Sequence, residues 1–391
     1  MITQVGILKL EFGWQQIFEQ EGIIYNILSS LPAEYHAPII INRPLEKSEV
    51  DWVRNFLANG GAVLTDFPNL GNIIDGFKYR PTKIPYILAD TEDIYTNITI
   101  IDLDINGYRA NGMMPIQKSF GKGFIIALPF DVNQTITDIR NERKPFYYPS
   151  RKFPNEIVSK INKGEVRKLI VNCLRKLFAK MSLPYVHLWY YPNGYQTAFA
   201  FRVDIDFDSE KALNAVYDLE KKTNSRFTYF ANTKTQTDFA NQKDYQLHCY
   251  HHKVFKDYQQ NFDNIHTAQQ LLEKNNIKPI GFAAPFGFWN KNLQKAMEDC
   301  HIHYSSEFSL DYDDLPFYPI IDNRRSTVLQ IPIHPICVGR LVHAGLTAEQ
   351  IFDYYQKYIV KQRQSREPIF LYDHPRRISQ FSNVFQNVCE S

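Results

Sequence analysis

The chain has 391 residues, of which 44% are hydrophobic and 22% are charged, and its formal net charge is +2. This length favours two domains over one, and the composition is typical of a folded protein rather than of a disordered or fibrous one. A charge so close to zero gives no reason to expect a nucleic-acid partner or an anionic membrane surface. The sequence also lacks a run of about 18 apolar residues that would span a bilayer.

The cysteine pattern and the first residues of the chain predict a cytoplasmic protein. The cysteines are odd in number and include no CxxC pair, which indicates reduced thiols rather than a disulfide framework. Residues 1–9 lack the basic stretch and the long apolar run of an export signal. The five cysteines are Cys173, Cys249, Cys300, Cys337 and Cys389.

Strands alternate with a helix over about the first 130 residues. Between the first two apolar runs, residues 46–59 have helical spacing and end at Gly60 and Gly61, a typical helix stop. Continuous apolar strands alternating with a helix predict a parallel α/β sheet that is covered on both faces. The predicted strands are residues 37–42, 61–66, 98–103 and 123–128.

This region resembles the flavodoxin-like fold of glutamine amidotransferase-type domains, in the segments 59–66 and 121–129. The resemblance implies a flavodoxin-like parallel sheet domain over residues 1–135. Glutaminase chemistry needs a cysteine nucleophile, and no cysteine precedes Cys173. The first domain is therefore predicted to be non-catalytic.

Residues 136–196 are predicted to connect this domain to a second one. The stretch 138–154 is charged and rich in proline and tyrosine, and we interpret it as a solvated linker rather than as a contact for an anionic substrate. A connecting helix with one apolar side is predicted over residues 165–181. The basic residues of the stretch are Arg140, Arg143, Lys144, Arg151 and Lys152.

Strand and helix alternate again over residues 197–391, where seven strands are predicted. Repeating βα units of this spacing favour a parallel barrel or a doubly wound sheet. Polar residues stand at the C-terminal ends of the strands, where βα barrels carry their chemistry. The strands are 198–205, 226–231, 245–250, 279–284, 304–308, 328–333 and 369–372, and the polar residues are Asp204, Asp206, His248, His334 and His374, together with Pro285.

The first of these strands ends in Arg202-Val-Asp204-Ile-Asp206-Phe-Asp208. Side chains two residues apart on a strand share a face, so Asp204 and Asp206 can reach one site. Crowded carboxylates raise each other's pKa unless a cation separates them, which favours a metal on one and a general base in the other. A solvated strand end, with Asp208 as the N-cap of the next helix, explains the pair equally well.

Three histidines stand within five residues after the third strand, in His248-Cys-Tyr-His251-His252. Neutral imidazole is the usual nitrogen ligand of zinc, and a turn can bring His248 and His252 to one ion. With one Asp they would supply three protein ligands and leave open positions, as catalytic metal sites do. A surface turn with incidental histidines is the alternative.

Two later segments continue the pattern. Gly281-Phe-Ala-Ala-Pro285-Phe-Gly287 follows the fourth strand, and the last apolar strand ends in His374. A histidine at a strand end could protonate a leaving amine, although such a residue is more often an ordinary hydrogen-bonded side chain. His334 ends the sixth strand, either as a further polar group of the site or as a hydrogen-bonded neighbour.

In this order the motifs resemble those of polysaccharide deacetylases of the NodB-homology, carbohydrate esterase type, over roughly residues 198–375. The resemblance implies a distorted (β/α)7 barrel in the second domain. It also implies a divalent metal on Asp, His and His, a catalytic base and a general acid. The residues in these roles are Asp206, His248 and His252 for the metal, Asp204 for the base and His374 for the acid. Ile205 separates two Asp that are usually adjacent in the family, so their roles could be exchanged or shared.

One position departs from the family pattern. The third motif commonly has an arginine two residues before the proline, where it orients the base, and Ala283 occupies that position here. Arg202 shares a strand face with Asp204 and could supply the missing charge; otherwise activity would be weak or absent. The predicted supporting or substrate-binding residues are Arg202, Pro285, Gly287 and His334.

The resemblance predicts a metal-dependent hydrolase that removes an acetyl group, N-acetyl before O-acetyl, from a sugar or a sugar-containing precursor. Zinc is the default ion for such ligands, although other divalent ions suit them too. The expected partner is a carbohydrate, and self-association stays possible. Two alternatives are open: a catalytically impaired carbohydrate-binding or scaffold protein of the same fold, and a hydrolase of a small non-sugar amide.

Overall fold

The computed structural model describes residues 4–32, 34–89, 93–149, 151–236, 238–240 and 243–391. The chain divides into two compact units. The first unit consists of Met1–Asp138 with Lys160–Gly194, and the second of Ile139–Ser159 with Tyr195–Ser391. Among the described residues, no helix combines the length and the apolar character that crossing a membrane requires.

The first unit is built on a six-stranded sheet with the order β2-β1-β3-β4-β8-β7, in which β7 alone is antiparallel to its neighbour. The strands of the unit are β1 (Val5–Ile7), β2 (Tyr25–Ile27), β3 (Ile39–Ile40), β4 (Ala62–Asp66), β5 (Arg80–Leu88), β6 (Ile100–Arg109), β7 (Ile116–Phe120) and β8 (Gly123–Leu128). Its helices are α1 (Phe12–Glu21), α2 (Lys47–Ala58), α3 (Phe67–Ile73), α4 (Val132–Ile136) and α5 (Lys163–Lys180).

The central strands of this sheet are buried on both faces. Ile40, Leu64 and Ile126 belong to one core cluster, whereas their neighbours Val63 and Ile125 belong to another. Continuous apolar strands therefore supply two cores at once, as expected for a parallel sheet with helices on both sides.

The strand predicted over residues 98–103 does not join this sheet. It corresponds to β6, which pairs with β5, antiparallel, in a separate two-stranded sheet. Along β6 the buried Ile101, Leu103 and Ile105 alternate with less buried polar residues. This alternation is typical of a half-exposed antiparallel strand, whereas the short apolar run at its start had suggested a central parallel strand.

The predicted linker over residues 136–196 is divided between the two units. The helix α5 lies in the first unit, where Leu169, Ile170 and Leu174 are buried in its core. Its Arg167 makes a buried ion pair with Glu21 of α1. The strands β9 (Asn141–Lys144), β10 (Tyr147–Tyr148), β11 (Arg151–Lys152) and β12 (Glu156–Ser159) belong to the second unit. The segment predicted as a connection is thus shared between the two units, and the apolar side of its helix α5 is buried in the core of the first unit.

The main part of the second unit alternates strands and helices. The strands are β13 (Phe199–Ile205), β14 (Thr228–Ala231), β15 (Asp244–Leu247), β16 (Gly281–Phe282), β17 (Tyr304–Ser305), β18 (Ile320–Ile321), β19 (Arg324–Arg325), β20 (Leu329–Gln330) and β21 (Ile369–Asp373). The helices are α6 (Glu210–Thr223), α7 (Tyr258–Glu273), α8 (Lys291–Asp299), α9 (Val338–His343), α10 (Ala348–Ser365), α11 (Pro375–Gln380) and α12 (Ser382–Glu390).

Seven of these strands form one parallel sheet with the order β20-β17-β16-β15-β14-β13-β21, and each corresponds to one of the seven predicted strands. From β13 to β20 the neighbouring strands follow one another in chain order, and β21 pairs with the other side of β13. The strands therefore run around a ring that is open between β20 and β21. Two contacts show that the sheet curls. Arg202 on β13 donates a hydrogen bond to the carbonyl of Ser306, just after β17, and the N–H of His334 donates to the carbonyl of Phe370 in β21 over 3.0 Å. The sheet is therefore a curled parallel sheet of α/β type, without strand pairing across the opening in the part of the chain that is described.

We predict that Arg167→Met lowers the free energy of unfolding of the first unit by about 3–5 kcal/mol, because Glu21 would stay buried without its cation. Denaturant unfolding followed by hydrogen-exchange mass spectrometry measures the first unit separately. Arg175→Met is the matched control, since Arg175 is exposed on the same helix and lies over the ring of Tyr185. It should cost about 1 kcal/mol or less. Equal losses in both variants would contradict the prediction.

Candidate functional site

A cavity of ≈ 400 Å³ in the second unit lies where β13, β15, β16 and β21 end. Parallel strands collect their C-terminal ends at one edge of a sheet, which brings together residues that are far apart in sequence. The cavity is lined both by residues that the sequence predicted for a site and by residues that it did not. The residues that line it include Glu156, Arg202, Asp204, Asp206, Phe207, Asp208, His248, His252, Phe286, Gly287, Phe308, Arg340, His343, His374, Arg376 and Arg377.

Asp206, His248 and His252 converge on one point of this cavity. The Oδ1 atom of Asp206 lies 3.0 Å from Nε2 of His248 and 2.9 Å from Nε2 of His252. The two Nε2 atoms are 3.1 Å apart. Cys249 has a φ of 68°, a left-handed backbone conformation directly after His248 that accompanies this turn. The turn thereby brings histidines four residues apart to the same carboxylate.

The hydrogen bonds of these three residues favour a cation between them. Nδ1 of His248 lies 2.8 Å from the carbonyl oxygen of Ala283, and because a carbonyl only accepts, this nitrogen carries the hydrogen. This hydrogen bond leaves Nε2 of His248 directed at the cavity, where it can bind an ion. Oδ1 of Asp206 is buried without a hydrogen-bond partner of ordinary geometry. Acceptors that face each other in a buried site are compatible when a metal ion accepts their lone pairs, and an Asp/His/His set suits a divalent ion.

Asp204 lies beside this cluster and is paired with Arg202. Nη2 of Arg202 is 2.7 Å from Oδ2 of Asp204, and both side chains are about 95% buried. The guanidinium also lies 4.8 Å from the centre of the Tyr372 ring. Oδ1 of Asp204 has no hydrogen-bond partner among the described residues. One carboxylate oxygen is thus held, and the other is buried beside the cavity without a hydrogen bond. Ala283 has no charged side chain, and the cation that pairs with Asp204 is Arg202.

His374 stands on the other side of Asp206. Its Nε2 atom is 3.4 Å from Oδ2 of Asp206, and its Nδ1 atom is 3.7 Å from Oδ1 of Asp373. Burial lowers the pKa of His374, but the carboxylates of Asp206 and Asp373 outweigh burial and hold the pKa well above its ordinary value. Burial raises the pKa of Asp206, whereas the surrounding histidines hold it well below its usual range. The pair favours a charged carboxylate next to a proton-bearing imidazole.

Two residues of the turn Pro285–Gly287 were predicted to support the site, and only one of them lines the cavity. Gly287 lines the cavity, with a φ of 59°, and a Cβ on it would lie 2.3 Å from the ring of Phe308. A side chain at this position would therefore collide with the cavity wall. Pro285 is buried and is not among the lining residues.

Two other assignments differ from the sequence interpretation. His334 does not line the cavity, because its ring is bound by Asp313 at 2.9 Å and by the Tyr354 hydroxyl at 2.8 Å. Asp208 is not the N-cap of α6: Ser209 accepts the capping hydrogen bond, and Oδ1 of Asp208 accepts from the N–H of Arg376 over 3.0 Å. The carboxylate of Asp208 is directed to the start of α11, which only the fold brings near.

The sequence interpretation missed an aromatic rim and a basic rim. Phe207 and Phe286 are 70% and 69% exposed, and their ring centres lie 5.7 and 5.0 Å from that of His252. Arg376 and Arg377 directly follow the His374-Pro375 pair, so their position at the site could have been inferred from the motif. No sequence signal identifies Arg340, His343 or Glu156, since the fold alone brings α9 and β12 to the cavity.

No protein-family model matches this chain, and no curated protein sequence is significantly similar to it. Among solved structures, the chain is similar to a polysaccharide deacetylase from Mycobacterium smegmatis, with 15% identity over 51% of this chain and 85% of that one and a TM-score of 0.43. It is also similar to a family 4 carbohydrate esterase from Streptomyces lividans in complex with acetate, with 11% identity over 50% and 86% and a TM-score of 0.32. A family 4 pseudoenzyme from Bacillus anthracis gives 12% identity over 53% and 68% and a TM-score of 0.34. These values are too low to carry an argument, so function has to rest on the residues of this chain.

We predict that the purified protein binds about one divalent ion per chain and that His248→Ala or His252→Ala removes it, because either change leaves two of the three ligands. Metal content by mass spectrometry after zinc loading measures this, with circular dichroism as the check on folding. His251→Ala is the matched control, since His251 belongs to the same turn but not to the cluster, and it should retain the ion. Absence of metal in the parent protein, or equal loss in all three variants, would sink the assignment.

Proposed function

We propose that the second unit is a divalent-metal-dependent hydrolase that removes an acetyl group, most simply N-acetyl, from a sugar or a sugar-containing precursor, with zinc as the ion. The observation that carries this proposal is the convergence of Asp206, His248 and His252 beside the unpartnered oxygen of Asp204 and the imidazole of His374. These residues also stand in the order of the NodB-type motifs that the sequence resembles.

The chemistry follows from what each side chain can do. A divalent ion on Asp206, His248 and His252 would supply Lewis acidity, which polarises the acetyl carbonyl and lowers the pKa of a water. Asp204 removes the proton of the attacking water through Oδ1 as the new C–O bond forms. His374 gives a proton to the sugar nitrogen as the C–N bond breaks and its electron pair moves to nitrogen. The products are acetate and a free amine.

The aromatic rim supports a carbohydrate as the substrate. The C–H faces of a sugar ring pack well on exposed aromatic side chains, and Phe207 and Phe286 flank the entrance. Phe286 has a φ of 60°, which a bulky residue rarely adopts. A strained, exposed aromatic residue at a cavity entrance is better explained by ligand contact than by the packing of the fold.

For the first unit we propose a non-catalytic, flavodoxin-like domain. In support, its parallel strands follow the order 2-1-3-4 and then β8, which corresponds to the flavodoxin-like arrangement with an added antiparallel β7. Its cysteine, Cys173, is fully buried, and burial raises the pKa of its thiol far above the usual value. We further propose a cytoplasmic location, supported by five cysteines that all lie in the described chain and are all free.

We predict that Asp204→Asn lowers kcat for acetate release by about 10²–10⁴-fold, because Asn cannot accept the proton of the water. Arg202→Gln should also lower kcat, since it frees the held oxygen of Asp204. Acetate release from N-acetylglucosamine and chitin oligomers measures both, with metal content as the check on the site. His334→Gln, away from the cavity, is the control. Full activity of Asp204→Asn would exclude it as the base, whereas a parent protein that binds metal and sugar without releasing acetate would indicate the impaired binding protein.

We predict that Phe286→Ala raises KM for a chitin tetramer about 5-fold with little change in kcat, because an aromatic contact of about 1 kcal/mol is made equally before and during the reaction. Phe199→Ala is the matched control, since Phe199 is an exposed phenylalanine of the same unit that does not line the cavity. Steady-state kinetics separates the two constants. A fall in kcat at constant KM would assign Phe286 to the reaction rather than to sugar binding.

A further inference from the structure

Two of the arginines at one rim of the cavity have no carboxylate partner in the described chain. Arg376 and Arg377 line the cavity from the start of α11, and Arg340 and His343 from α9. Arg377 donates to the side-chain oxygen of Gln380, a neutral group, over 2.9 Å. Among the described residues, no carboxylate lies within ion-pair distance of the guanidinium of Arg376 or Arg377. The chain as a whole is nearly neutral, so this clustering does not follow from a general excess of basic residues.

The carboxylates of the cavity are already engaged. Four arginines and four carboxylates line it. Arg202 is paired with Asp204, and Arg340 with Glu156. The two remaining carboxylates have other partners: Asp206 faces the two histidines of the metal cluster, and Asp208 accepts the backbone N–H of Arg376. Counting these arginines and carboxylates alone, a divalent ion on Asp206 would give the cavity an excess of two positive charges.

We propose that the substrate carries an anionic group, a phosphate or a carboxylate, next to its acetylated sugar, and that Arg376 and Arg377 bind this group. The inference rests on the proposed function, since it concerns the substrate of the same site. A guanidinium binds either anion through paired N–H groups and keeps its charge at any physiological pH. The bond from the N–H of Arg376 to Asp208 fixes the start of α11 at the end of β13, so the basic rim is held in place. A cavity of ≈ 400 Å³ accommodates a sugar ring together with such a group.

The test compares matched sugars that differ in charge. The probes are N-acetylglucosamine, its 6-phosphate and N-acetylglucosaminuronic acid, with acetate release by the zinc-loaded full chain as the readout. We expect kcat/KM to be about tenfold higher for a charged sugar, a difference of about 1.4 kcal/mol. The preference should shrink as ionic strength rises. A higher rate on the phosphate than on the uronate identifies phosphate as the natural anion, and the reverse order identifies a carboxylate.

Two variants test the residues. In Arg376→Gln/Arg377→Gln the ratio of kcat/KM between charged and neutral sugar should fall to about one. Arg363→Gln is the matched control, because Arg363 is exposed in the same unit and does not line the cavity; it should retain the preference. Metal content and the melting temperature report whether the double variant is folded. A neutral sugar hydrolysed as fast as the charged ones, with the same ratio in the double variant, would overturn the inference and leave the proposed function intact.

Binding separates failure of the inference from failure of the proposed function. Calorimetry with zinc-loaded Asp204→Asn measures the affinity for the same three sugars without turnover. If the parent hydrolyses none of the sugars but the phosphate or the uronate binds, and this binding is lost on replacing Arg376 and Arg377, the anion site stands and the deacetylase function is wrong. Absence of both hydrolysis and anion binding would overturn both.

Discussion

The buried guanidinium of Arg202 is the contact on which both the curled sheet and the site depend. Arg202 belongs to β13. Its guanidinium donates to the carbonyl of Ser306 beyond β17 and lies over the ring of Tyr372 in β21. The same group holds one oxygen of Asp204 at 2.7 Å. A buried charge is costly unless it is paired and hydrogen-bonded, so these contacts stabilise one another. Removing the arginine would leave a buried carboxylate alone in the centre of the unit.

The site itself concentrates features that a purely structural core avoids. Oδ1 of Asp204 is buried without a hydrogen bond, and Oδ1 of Asp206 is buried without one of ordinary geometry; an unpaired buried acceptor costs about 1–3 kcal/mol. Cys249 and Phe286 hold left-handed backbone conformations next to the histidine cluster and the cavity entrance. Such strain is stable only where the surrounding structure imposes it. These features lower the stability of the site region, and the rest of the curled sheet has to compensate for them. Such a cost is expected where a region binds a ligand.

The two units use their α/β sheets differently. In the second unit the strand ends carry ionisable groups that face a cavity of ≈ 400 Å³. In the first unit the strand ends of β3, β4 and β8 enclose only ≈ 20 Å³. Of the three acidic residues there, Asp66 and Asp131 cap α3 and α4, and Glu11 is paired with Lys9. The carboxylates of Asp66 and Asp131 accept hydrogen bonds from backbone N–H groups, and the described residues of this unit include no cluster of potential metal ligands like that of the second unit.

Much of the second unit was accessible from the sequence, because local pattern determines it. The seven strands follow from apolar runs, and the convergence of Asp206, His248 and His252 from the rule that parallel strands end at one edge. The sequence could not decide the contacts between distant segments. Tertiary structure alone turned β6 into an antiparallel hairpin, buried α5 in the first unit, directed Asp208 to α11 and took His334 to Asp313 instead of the cavity. Each of these outcomes depends on which partner is nearest in space, and side-chain hydrogen bonds and burial are decided there rather than by spacing along the chain.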